Sequence, residues 1–173
     1  MAAQARRDRL EPVSYHPAPC GGPLAAMPSV IPMTTFSIDI DISASPERVW
    51  AVLSDVERWH EWTPSITRIE RLDNGPLAPG SRARVHLPKL PVTDWEVTSL
   101  EEGKSFTWVA ANPGVRVIAQ HRIEPTERGS RVHLSTDFEG VLGGVVGRLT
   151  RDLNERYLRF EANGLKDRSE NHS

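Results

Sequence analysis

The chain has 173 residues, of which 38% are apolar and 14 are proline, and 21 Lys+Arg against 23 Asp+Glu leave a formal charge of −2. That balance builds no strong field, so nucleic acid and anionic membrane surfaces are not expected partners. No stretch approaches the roughly 20 apolar residues that span a bilayer, so no integral membrane contact is expected.

Arg6, Arg7 and Arg9 open the chain as a secretion signal would, but no apolar run of about 7–15 residues follows them. Pro12, Pro17, Pro19, Pro23 and Pro28 break the stretch instead. No export is read, and the single cysteine, Cys20, has no partner for an internal disulfide, which suits a reducing cytoplasm. Residues 1–33 are expected to be a disordered tail. Met33, standing directly before the first strand pattern, and Met27 are candidates for the translation start.

Phe36, Ile38, Ile40 and Ile42 alternate with Ser37, Asp39, Asp41 and Ser43. This period of two predicts a half-buried antiparallel strand. Ser45 is then a good N-cap, and Pro46 suits the first helical position. Val49, Trp50, Val52 and Leu53 follow at helical spacing, predicting a short helix over about 46–54. A second short helix carries Val56, Trp59 and Trp62 and ends before Pro64. Trp50, Trp59 and Trp62 serve either as plain core packing or as the wall of a pocket.

Further strand patterns follow, separated by turn signals. Residues 66–72 are the least regular. Ala83, Val85 and Leu87 alternate with Arg82, Arg84 and His86, and Trp95 and Val97 alternate with Asp94, Glu96 and Thr98. Phe106, Trp108 and Ala110 form the next set, then Val117, Ala119, His121 and Ile123, then Val132, Leu134, Thr136 and Phe138. Short connections between alternating strands predict an antiparallel meander. The end of the chain changes period. Leu142, Val145, Val146, Leu149, Leu153, Tyr157 and Phe160 recur at intervals of three and four. They predict one amphipathic helix over about 142–165, roughly 35 Å long, with that stripe on the sheet. Gly143, Gly144 and Gly147 lack phosphate-loop spacing and a lysine; as small residues they let the sheet or a ligand approach. Residues 168–173 are expected to fray.

The fold class is therefore α+β: a curved antiparallel sheet of about six to seven strands around a long C-terminal helix, with two short helices after the first strand. The segment Ile42-Ser43-Ala44-Ser45-Pro46-Glu47-Arg48-Val49-Trp50-Ala51-Val52-Leu53-Ser54-Asp55 resembles the opening of the polyketide cyclase/dehydrase and lipid-transport families (SRPBCC; START/Bet v 1-like superfamily). The likeness continues in Pro79-Gly80-Ser81, in His121-Arg122-Ile123-Glu124-Pro125 followed by Gly129, and in Phe138-Glu139-Gly140. It spans about residues 35–167 and implies the helix-grip fold, with a ligand-binding domain over 34–167. It is specific for fold and says little of activity. Members include lipid carriers, aromatase/cyclases and hormone receptors, which share an apolar cavity between sheet and helix.

A ligand wall is expected from Trp50, Trp59, Trp62, Val85, Trp95, Phe106, Trp108, Val117, Ala119 and Phe138, closed by Leu142, Val146, Leu149, Leu153 and Tyr157 of the helix. By strand alternation His121 and Thr136 are the two polar side chains that turn inward, unless the register slips by one residue. The six histidines show no ligand spacing, so no metal is expected, and no cofactor motif is present. Three readings stay open. In the first, the domain binds or carries a small apolar or aromatic metabolite or lipid. In the second, which the resemblance implies, it is a cyclase or dehydratase with His121 as general acid/base; Tyr157 is then the only visible inward partner. In the third, it is a structural or dimerising domain, a homodimer among the options, with its cavity filled by its own tryptophans.

Overall fold

The computed structural model describes residues 33–171. The expected tail over 1–33 lies outside the described residues except for Met33, as do Met27, Cys20 and His172.

The alternation of Phe36 to Ile42 becomes β1 (Thr34–Ile42). Ser45 then caps α1 (Pro46–Leu53): its hydroxyl accepts from the Arg48 N–H at 3.4 Å, with Pro46 at the first helical position. The second short helix is a 3₁₀ turn, Val56–Glu61. It is locked to α1 because the Trp59 indole Nε1–H donates to the Leu53 carbonyl at 2.9 Å. The meander follows as β2 (Arg68–Arg71), β3 (Arg82–His86), β4 (Thr93–Glu101), β5 (Ser105–Asn112), β6 (Val115–Thr126) and β7 (Gly129–Glu139). One seven-stranded sheet results, ordered β1-β7-β6-β5-β4-β3-β2, antiparallel at every pairing. It is the helix-grip arrangement that the strand periods and the closing helix predict.

The register decides what faces the helix. Phe106 pairs with His121, His121 with Leu134, and Leu134 with Ile38, forming one inward row. The next inward row is Trp108, Ala119, Thr136 and Phe36. No slip has occurred, so His121 and Thr136 stand inside. The arginines between them, Arg82, Arg84, Arg116, Arg122 and Arg131, are exposed on the opposite face.

The closing helix departs from expectation in three ways. It is two helices, α2 (Gly143–Leu149) and α3 (Arg151–Glu170), broken at Thr150. The Thr150 hydroxyl donates back to the Val146 carbonyl at 2.7 Å, and Asn154 Nδ2 donates to the Thr150 carbonyl at 3.0 Å, each beside the helical backbone bond that the same carbonyl accepts. Second, the inward stripe is not the apolar one. Asn154, Leu158, Ala162, Leu165 and Ser169 are buried in α3, whereas Leu149 is 82% exposed and Val145 56%, with Leu142 and Phe160 exposed too. The inward positions Gly143, Gly147, Thr150, Asn154, Leu158, Ala162, Leu165 and Ser169 recur at intervals of three and four across the break, so the buried stripe is continuous but offset from the apolar one, which leaves Leu142, Leu149 and Phe160 outside. Third, the helix does not fray from 168. Arg48 Nη2 donates to the Arg168 carbonyl at 3.3 Å, Lys166 Nζ to the Asp41 carbonyl at 2.6 Å, and Glu170 accepts the Ser43 N–H at 2.6 Å.

Two glycines fix how closely the helices pack. A Cβ on Gly164 would lie 2.0 Å from the Trp62 carbonyl oxygen, and one on Gly147 would lie 2.7 Å from Thr34 Cβ. Gly147 therefore admits the sheet, at the start of β1. No helix among the described residues is long and apolar enough to cross a membrane.

Candidate functional site

A cavity of about 380 Å³ lies between the inward rows of the sheet and α3. Its wall is Trp59, Trp95 and Trp108 on one side, Val85, Val117, Ala119 and Phe138 along the sheet, and Val146, Tyr157 and Leu158 from the helices. The tryptophans pack ring to ring in a chain: centroids are 5.4 Å apart for Trp62–Trp59 and 5.3 Å for both Trp59–Trp108 and Trp108–Trp95, with the planes tilted. Trp59, Trp95 and Trp108 wall the space without filling it, which counts against the reading in which tryptophans occupy it.

Of the residues expected to line the wall, Trp50, Trp62, Phe106, Leu142, Leu149 and Leu153 do not reach it. Trp50, Trp62 and Phe106 pack in the shell behind it. Leu142 and Leu149 lie off the inward stripe of the closing helices and stand exposed; Leu153 flanks the inward face of α3. Residues not foreseen complete the lining. The loop between β3 and β4 supplies Leu87, Leu90 and Pro91, and the hairpin between β5 and β6 supplies Asn112 and Val115. Thr150, Asn154 and Glu161 join from the helices, beside Thr136 and Ser135 of β7.

Glu161 is the residue that changes the chemistry. Its Oε1 lies 3.0 Å from His121 Nε2, with the side chains 4% (His121) and 14% (Glu161) exposed. Phe106 lies flat under the imidazole, ring centroids 4.4 Å apart and planes 15° from parallel. Trp59 meets the ring edge-on at 5.3 Å. The imidazole thus has one face on Phe106, one edge on Trp59 and one nitrogen on a carboxylate, while Nδ1 is buried without a partner. A histidine held this way, with its tautomer biased by a carboxylate, is equipped to exchange a proton. It is equally equipped to anchor a polar group of a bound molecule.

Tyr157 is committed elsewhere. Its hydroxyl donates to the Pro88 carbonyl, tying α3 to the loop between β3 and β4, and burial pushes its pKa up. The inward partner of His121 is therefore Glu161 rather than Tyr157. The sequence carries a signal for this: Asn154, Tyr157 and Glu161 are spaced three and four apart, so a helix that turns Tyr157 inward turns Glu161 inward as well.

Residues 33–170 match the model of the family described as "Polyketide cyclase / dehydrase and lipid transport". A sequence search of curated proteins finds no match. Among solved structures, Zhui aromatase/cyclase from Streptomyces sp. R1128 is 18% identical and superposes with a TM-score of 0.61, covering 80% of this chain and 94% of that one. TTHA0849 from Thermus thermophilus is 18% identical with a TM-score of 0.63, covering 80% and 97%. Ara h 8.0201 is 14% identical with a TM-score of 0.58, covering 77% and 97%. At these identities the likeness shows the fold.

Proposed function

The chain belongs to the polyketide cyclase/dehydrase and lipid transport family, and we propose that it binds a small apolar or aromatic molecule in the space between sheet and α3. The observation that carries this reading is the cavity of about 380 Å³ itself. Natural interiors hold few voids larger than a water molecule, and a space of this size with aromatic walls and a few placed polar groups is what ligand burial requires. Burial there contributes about 25 cal/mol per Å² of apolar ligand surface. Native mass spectrometry after mild purification tests it, together with a melting screen against lipids and aromatic compounds. A co-purifying mass or a raised melting temperature is expected; an empty protein that no compound stabilises would count against binding.

The His121–Glu161 pair favours a second reading, acid/base chemistry on the bound molecule of the kind an aromatase/cyclase performs. His121 would take or give the proton, and Glu161 would hold the ring and balance its charge. Full turnover by His121→Ala on any substrate found would remove that role.

A further inference from the structure

Charge is distributed unevenly around the cavity. Among the described residues that line it, the ionisable ones are His121, Tyr157 and Glu161, and there is no lysine or arginine. The strand alternation accounts for this, because it sends Arg82, Arg84, Arg116, Arg122 and Arg131 to the outer face. All five are engaged there, Arg82 and Arg84 with Asp94 and the others with Glu139, Glu124 and Asp41. The Tyr157 hydroxyl is occupied by Pro88. The lining therefore carries one negative charge when the imidazole is neutral and none when it is protonated; it is positive in neither state.

From this we infer that the cavity selects by charge: it accepts an apolar or aromatic molecule that is neutral or bears a basic amine, and rejects one bearing a carboxylate or phosphate. The inference rests on the binding reading above and names Glu161 as the residue that sets the selectivity. An anionic ligand would leave water for an apolar site with no free cation to receive it and would face Glu161 besides. An ammonium group would meet that carboxylate, which lines the same space.

The test uses one ring system with three head groups: naphthyl-ethylamine, naphthyl-ethanol and naphthyl-acetic acid, titrated into the full-length protein at neutral pH and followed by tryptophan fluorescence and calorimetry. The amine and the alcohol are expected to bind, and the acid to bind at least about tenfold more weakly than the amine. In Glu161→Gln the gap between amine and acid should shrink to within about threefold, because the carboxylate is gone and the size is kept. An acid that binds the native protein as tightly as the amine overturns the inference, and so does an unchanged gap in a folded Glu161→Gln. The native ranking decides without the variant. Failure of all three compounds to bind would instead strike the binding reading, and this inference with it.

Discussion

His121 on β6 and Glu161 on α3 meet at 3.0 Å across the space that separates sheet from helix. They are 40 residues apart in sequence, and the contact joins the centre of the inward row to the helix that closes over it. Removing the imidazole leaves a buried carboxylate without its donor and opens a void over Phe106. His121→Ala is expected to destabilise by about 2–5 kcal/mol. Glu161→Gln keeps an acceptor for Nε2–H and should cost about 1 kcal/mol or less. Urea unfolding of the two variants checks the difference; equal losses would show that the pair is held by shape alone.

The phase of α3 gives the second prediction. Leu165 is fully buried and Leu149 is 82% exposed, although both are leucines on the closing helices. Leu165→Ala should cost about 2–5 kcal/mol by transfer and cavity terms. Leu149→Ala should fall within about 0.5 kcal/mol of the parent. A large loss at Leu149 would mean that its face is covered.

This contrast shows where the sequence is readable. A strand has a period of two, so a single alternation settles inside and outside for all its residues, and the inward places of His121 and Thr136 follow from Ala119, Ile123, Leu134 and Phe138. A helix stripe is broader, and its phase is legible only where apolar residues occupy the inward positions. On α2 and α3 the inward positions include Gly143, Gly147, Thr150, Asn154 and Ser169, small or polar residues that do not mark a stripe by hydrophobicity. The apolar residues of α2 and α3 then read as one stripe that the molecule does not have. Glu161 is hidden for a related reason: on an amphipathic helix a carboxylate reads as part of the wet face, and only its spacing from Tyr157 and Asn154 places it inside.

Helix packing at Trp62 yields a third prediction with an unusual sign. Glycine within a helix costs about 1 kcal/mol relative to alanine, so Gly164→Ala would ordinarily stabilise. Here the added Cβ would sit 2.0 Å from the Trp62 carbonyl oxygen. That atom is backbone, and Trp62 packs on Trp59, so relief requires α3 to move away. A lowered melting temperature is expected. An unchanged or raised one would show that α3 has room to shift.

Acid should destabilise the fold through its paired carboxylates. The Arg82 backbone N–H and then the Arg71 guanidinium hold the Asp73 carboxyl below its ordinary value, and Lys166 and then the Ser43 N–H do the same for Glu170. A carboxyl whose folded pKa is depressed contributes stability that is complete above its unfolded pKa, about 3.9 for Asp and 4.3 for Glu, and is lost as pH falls through the folded value. The melting temperature should therefore hold steady from neutral pH to about 5 and fall below about 4. Asp73→Asn should lower it at neutral pH and flatten the acid decline. An acid decline as steep as the parent's would remove Asp73 from the account.

Filling the cavity separates its use in binding from its use in folding. Ala119 lines the space at the middle of β6, flanked by Trp108 and Thr136 in the pairing register. A large side chain there projects into free volume rather than into packed atoms. Ala119→Trp buries apolar surface at about 25 cal/mol per Å², offset by about 1–3 kcal/mol where the indole crowds its neighbours, so the melting temperature should change little. Ligand binding should fall by about a hundredfold or more, since the indole and the ligand compete for the same space and roughly 3 kcal/mol or more of burial is forfeited. The comparison is made by melting and by titration with whichever compound stabilises the parent. A variant that folds normally and binds as the parent does would show that the ligand does not occupy the space around Ala119.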